Sequence, residues 1–106
     1  MRLTLDTSAV AFTVTKAPEA RRDFGKTEQK VDRDTGRPQW VVEVLAQDAD
    51  RGEVIRVTVT GDQPKVTPGS QVRFDALEAI AWNNNGKAGV AYRAAAIHAA
   101  QPARAA

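Results

Sequence analysis

The chain of 106 residues contains no cysteine and one histidine. Without cysteine there are no disulfides, no thiolate metal sites and no thiol nucleophile. His98 stands among alanines and cannot alone furnish a usual zinc site or a catalytic triad. Ser8 and Ser70 lack a G-x-S-x-G setting, and no G-x-x-x-x-G-K stretch is present to cradle a phosphate. DRDTGR (32–37) misses the third carboxylate and the terminal Glu of a calcium loop and reads as a turn. Asp48 and Asp50 fall in a turn cluster, where nothing desolvates them. The expectation is a protein that is not an enzyme and needs no metal or cofactor. Long apolar runs are also missing: none approaches the ~18 residues of a membrane span. The opening MRLTLDTSAVAFTV alternates instead of forming the apolar centre of a signal peptide. These absences predict a soluble, cytoplasmic protein with no membrane partner.

Net charge is small, +2, and unevenly placed. Residues 16–37 carry Lys16, Arg21, Arg22, Lys26, Lys30, Arg33 and Arg37 against Glu19, Asp23, Glu28, Asp32 and Asp34. The rest of the chain is balanced, so the whole excess lies in this polar segment. Such a patch suits a polyanion. Its five acids also suit a solvated loop or a protein partner.

What is present is alternation with period two. QWVVEVLAQ (39–47) and EVIRVTVT (53–60) are rich in β-branched residues and read as half-buried strands joined by the turn DADRG. AVAFTVTK (9–16) predicts a strand before them. QVRFDALEAIAW (71–82) predicts one after them, with a bulge or bend near Leu77–Ile80 where the phase is lost. GVAYRAAAIHA (89–99) has helix-forming alanines, but the Asn-Gly turn leading into it argues for a strand. Pro64 and Pro68 keep 61–70 from being a helix. The 17–38 connection is long enough to be functional or to have its own structure. KTEQKVD (26–32) reads there as an extended arm running into strand 39–47, with TGRP as a kink at its base.

The predicted fold is therefore all-β: one OB-fold domain over 1–99 and a flexible tail over 100–106. It has five strands, an extended first-to-second loop, and a Pro/Gly loop in place of the usual helix. An SH3-like barrel is the nearest competitor. An OB barrel binds oligonucleotides across strands two and three, between its first-to-second and fourth-to-fifth loops. An open barrel of this kind has edges, and strand 9–16 or the 26–32 arm could pair with a second copy in a homodimer.

A single nucleic-acid strand needs cations for phosphates and aromatic platforms for bases, each stack being worth about 1–3 kcal/mol. Phe12 and Phe74 lie in phase with strand cores. Phe24, in the charged RRDFGK, either folds back or meets a ligand. Trp40 has core phase but starts a strand, at the barrel rim. Trp82 and Tyr92 flank the Asn-Gly loop, where they pair across the hairpin or stack on bases. Arg56 alternates with Ile55 and Val57 and points outward. The candidate nucleic-acid surface comprises Arg21, Arg22, Phe24, Lys26, Lys30, Trp40, Arg56, Trp82, Lys87, Tyr92 and Arg93.

The pieces KTEQKVDRDTGRPQWVVEVLA, EVIRVTVTGDQPKVTPGSQVRF, LEAIAW and GKAGVAYRAAAI follow one another over 25–97. In this order they resemble small regulatory or replication-associated proteins of actinobacterial plasmids and integrating conjugative elements. GRPQW with VTVTGDQPKVTPGSQV and the G-x-x-x-x-Y-R-A ending is similar to the OB-fold single-stranded-DNA-binding proteins of filamentous phages. That resemblance implies a cofactor-free dimer that coats single-stranded DNA, with Arg21, Arg22, Phe24, Arg56 and Tyr92 at the interface. It also implies a possible replication or conjugation partner. The acidic C-terminal tail by which bacterial housekeeping single-strand-binding proteins recruit partners is absent from this sequence. The alternative is a barrel that docks such a partner protein instead of DNA.

Overall fold

Strong alternation of β-branched and polar residues makes the two longest strands and fixes which face of each is buried. The computed structural model describes residues 2–22 and 27–100. Nine strands form one mixed sheet among them: β1 (Arg2–Thr4), β2 (Ala11–Val14), β3 (Glu19–Ala20), β4 (Gln39–Gln47), β5 (Gly52–Thr60), β6 (Gln71–Asp75), β7 (Glu78–Asn84), β8 (Lys87–Ala94) and β9 (Ala96–Ala99). No helix forms among the described residues. The sheet runs β1-β7-β8-β5-β4-β2-β6-β9, with β3 joined to β4, and is strongly curled into a half-barrel.

The β4–β5 hairpin sets the register, with Val42 opposite Val57 and Val44 opposite Ile55. Its turn is fastened by the Asp48 carboxylate, which accepts from the Asp50 and Arg51 N–H groups at 2.8 and 2.9 Å. Those two bonds hold the Asp48 carboxyl below the ordinary aspartate range. β8 lies parallel to β5, Val57 beside Tyr92 and Val59 beside Ala94. The chain then breaks for one residue at Ala95, whose N–H donates to Asp75 O at 2.9 Å, and continues as β9 against β6. β6 pairs with β2 and β2 with β4, so the curl turns back towards its start.

The concave side holds the core: Phe12, Val14, Val42, Val44, Ile55, Val57, Val59, Val72, Phe74, Leu77 and Ala94. Phe12 and Phe74 meet edge to face, 5.1 Å between centroids at 83°. Both were expected in the core.

Nine strands replace the expected five for identifiable reasons. The 71–82 run bends at Ala76, which takes φ 52, and the bend delivers Leu77 into the core before β7 sets off. The 89–99 run is extended throughout but is divided at Ala95. β1 and β3 are short additions. Residues 61–70 form no helix, and Pro64 is buried. Strand 9–16 is not the free edge expected for a second copy, because β2 lies between β4 and β6.

The 17–38 connection has its own structure. Lone bridges join Arg22 to Gln29 and Val31 to Pro38. The extended arm expected over 26–32, with only a kink at TGRP before β4, is replaced by a full reversal of the chain. The chain reverses at 32–37, where Asp32 N donates to Arg37 O and Gly36 N to Asp32 O. Gly36 has φ 70, and the Asp32 carboxylate caps Thr35. The segment 27–38 is thus a folded arm whose return leg is tied by Gln39 N to Lys30 O at 2.9 Å. Phe24, Lys26 and residues 101–106 of the expected tail lie outside the described residues.

Candidate nucleic-acid interface

Alternation along β5 turns Ile55, Val57 and Val59 inward and Arg56, Thr58 and Thr60 to the convex face. Directly opposed residues share a side, so Val41 and Gln39 of β4 and Arg93 of β8 join them there. Arg21 reaches across from the arm and donates from Nη1 to Thr58 Oγ1 at 2.9 Å. Its backbone is fixed as well, N–H to Gln39 O and C=O from Lys30 N–H.

The arm and the β7–β8 hairpin rise on two sides of this strip. Between them runs a groove of about 400 Å³, lined by Arg21, Lys30, Val31, Asp32, Arg33, Asp34, Gln39, Thr58, Ile80, Ala91, Tyr92 and Arg93. A second groove of about 380 Å³ continues it past Arg21 and Thr58, lined by Glu19, Ala20, Arg22, Val41 and Arg56. The Arg21–Thr58 bond is the ridge between the two. At the far end, past Arg93, the surface turns acidic, with Asp32, Asp34 and Glu78 beside Arg2. Arg2 pairs with Glu78 at 3.2 Å.

Charges in this strip are coupled through space. The N–H and hydroxyl of Thr35 keep the Asp32 carboxyl below the usual range, and the Arg93 charge adds to this. Lys16, bonded to Glu19 at 3.0 Å, lowers the Glu19 carboxyl, with smaller contributions from Arg56 and Arg22. Arg22 is exposed, and its Nε donates to Thr27 O at 2.9 Å.

The hairpin tip is a two-residue turn, Asn85-Gly86, with φ 53 and 78. Positive φ at both central positions is the type I′ signature and explains the Asn-Gly dipeptide without appeal to function. Counting outward from it, Lys87 opposes Asn84, Gly89 opposes Trp82, Ala91 opposes Ile80 and Tyr92 opposes Ala79. Trp82 and Tyr92 therefore do not pair across the hairpin; they face opposite sides. Tyr92 packs against the core and reaches the groove only at its wall. Trp82 is 46% exposed and shares the side of Ile80, Ala91, Arg93 and Lys87, beyond the groove towards the tip.

The Trp82 indole lies over Gly89. A Cβ on that glycine would collide with Trp82 Cζ2 and Cε2. Gly89→Ala is therefore expected to keep the fold and to push the indole into solvent, giving redder emission and stronger acrylamide quenching. Unchanged tryptophan emission would refute the packing.

The structure brings together Arg21, Arg22, Lys30, Arg56, Tyr92 and Arg93. It leaves Trp82 and Lys87 further along the hairpin. Trp40 is set apart: its Nε1–H donates to Gly61 O at 2.9 Å, and it lines neither groove. Among the groove residues outside that candidate surface are Thr58, Gln39 and Arg33. Thr58 was legible from the same alternation that exposed Arg56. Arg33 belongs to the basic segment 16–37 but had no signal that singled it out, and Gln39 had none at all, because the folded arm makes the groove there. No group of His, Asp and Glu among the described residues is placed to hold a metal ion. No protein-family model, curated protein or solved structure matches the chain.

Proposed function

We propose that the curled sheet is an OB-type barrel and that the protein binds single-stranded DNA along the convex strip between arm and hairpin. The observation that carries the reading is the convergence of Arg21, Arg56 and Arg93 around Thr58, along two adjoining grooves beside the arm. In OB terms β2, β4, β5, β6 and the β8–β9 run are the five strands. The arm is then the first-to-second loop and the β7–β8 hairpin the fourth-to-fifth, the two that flank ligand in that fold. Arginines follow the phosphates, and Trp82 gives a base an exposed platform beyond the groove. The sequence resemblance to mobile-element and phage proteins supports the same reading: a cytoplasmic, cofactor-free protein with little sequence preference. Among the described residues β1 pairs only with β7 and β9 only with β6, so these two ends of the sheet are edges at which a second copy could add.

Titration with poly-dT at two salt concentrations tests it. Tryptophan emission is expected to be quenched, and affinity to fall steeply with salt. Affinity undetectable at low salt, or equal to that for duplex DNA, would refute the proposal. The acidic end at Asp32, Asp34 and Glu78 favours a second reading, a docking module for a replication or conjugation protein. In that case Arg56→Ala and Trp82→Ala would disrupt partner capture and leave any weak DNA binding unchanged.

A further inference from the structure

Gln39 is the one buried polar residue of the described chain, 8% exposed, and it lines the groove beside Thr58 and Arg21. Its backbone is fully engaged. The N–H donates to Lys30 O, and the C=O accepts from Arg21 N–H and from Gln29 Nε2 at 2.8 Å. Its side chain is not. Nε2 reaches Thr60 Oγ1 only at 3.5 Å, and Oε1 is buried without a hydrogen-bond partner among the described residues. A buried acceptor left unpaired is costly and needs an explanation. Here the explanation lies next to it, in a groove open to a ligand. Turning the amide into that groove gives up one bond at the limit of length and gains a full partner.

We infer that Gln39 is a base-reading residue: its Oε1 accepts a hydrogen bond from the exocyclic amine of a base held in the groove. The inference rests on the nucleic-acid reading above and adds a chemical preference to it. Cytosine and adenine carry such an amine, whereas uracil and thymine offer a carbonyl at the same place. Arg21 and Arg93 hold the phosphates on either side and are indifferent to the base. Binding is therefore general, with a modest preference superposed. An amide turned end for end would present its nitrogen instead and would favour the carbonyl bases, so the sign of the preference tests the assignment.

The experiment is a fluorescence titration of the full chain with oligo-dC and oligo-dU of one length, near pH 8 at fixed low salt. These strands differ at each base in the group on C4, an amine in place of a carbonyl, and in the proton that uracil carries on N3. Tighter binding of oligo-dC by about three- to tenfold is expected, the worth of one neutral hydrogen bond. In Gln39→Leu the ratio is expected to fall to about one. Equal affinities in the wild-type protein, or a preference for oligo-dU, overturn the inference while leaving general binding intact. A preference for oligo-dC that survives unchanged in Gln39→Leu overturns it too. If neither strand binds, the nucleic-acid reading fails and this inference with it. The wild-type ratio stands as a test whether or not the leucine variant folds.

Discussion

Replacing Phe74 with alanine is expected to destabilise the protein by about 3–5 kcal/mol. The ring is 6% exposed and stands edge-on to Phe12 at 5.1 Å, so its loss removes buried area and an aromatic pair together. Its strand is also where the curl returns: β6 pairs with β2 on one side and with β9 on the other. A cavity there cannot be filled by a neighbouring helix sliding in, because none exists among the described residues. Domains of this size have only about 5–15 kcal/mol of total stability. Urea unfolding followed by circular dichroism should show a midpoint shifted far down. Phe74→Leu, which keeps most of the volume, should recover much of the loss. A change below about 1 kcal/mol for Phe74→Ala would mean that the two rings do not anchor the core.

The contrast between long and short elements explains what the sequence could reveal. β4 and β5 were legible almost to the residue, because each has one strongly apolar face and one polar face, and a slip by one residue would invert both. Val42 and Val44 had to be inside, and Arg56 outside. The bend at Ala76 had no residue signature: an alanine at positive φ is held there by the burial of Leu77, not by its own preference. The reversal at 32–37 was legible as a turn. Where the arm would lie was not, since Arg21 binds Thr58 across 37 positions of sequence.

The candidate site divides the same way. Arg56 followed from period two. For Trp82 and Tyr92, which flank the Asn-Gly loop, the sequence leaves pairing across the hairpin and stacking on bases both open. Yet a two-residue type I′ turn at Asn85-Gly86 already dictates that Trp82 faces Gly89 and that Tyr92 faces the other side. The turn type alone therefore separates the two aromatics. Gln39 is different: its burial and its unpaired oxygen arise only from the arm folding over β4, which no local pattern encodes.

Substituting Arg21, Arg56 and Arg93 together by glutamine is expected to lower affinity for single-stranded DNA about a hundredfold near 0.1 M salt. On a single strand each neutralised phosphate contributes about 0.7 to the slope of log affinity against log salt, so three lost contacts flatten it by about two. The effect should therefore shrink as salt rises and nearly vanish at 1 M, whereas a packing defect would lower affinity equally at both. All three side chains lie on the convex face, away from the Phe12–Phe74 core, so the variant should unfold within a few degrees of the wild type. Arg21 gives up its bond to Thr58, a loss of about 1 kcal/mol that thermal unfolding will register separately. Lys65→Gln serves as the control: Lys65 is exposed on the 61–70 connection and lines neither groove. Its removal should lower the slope by less than a third of the triple effect. If the triple variant keeps the wild-type slope, the arginines around Thr58 do not touch phosphates. The groove must then serve an uncharged or protein ligand, and the acids at its far end would become the more informative residues.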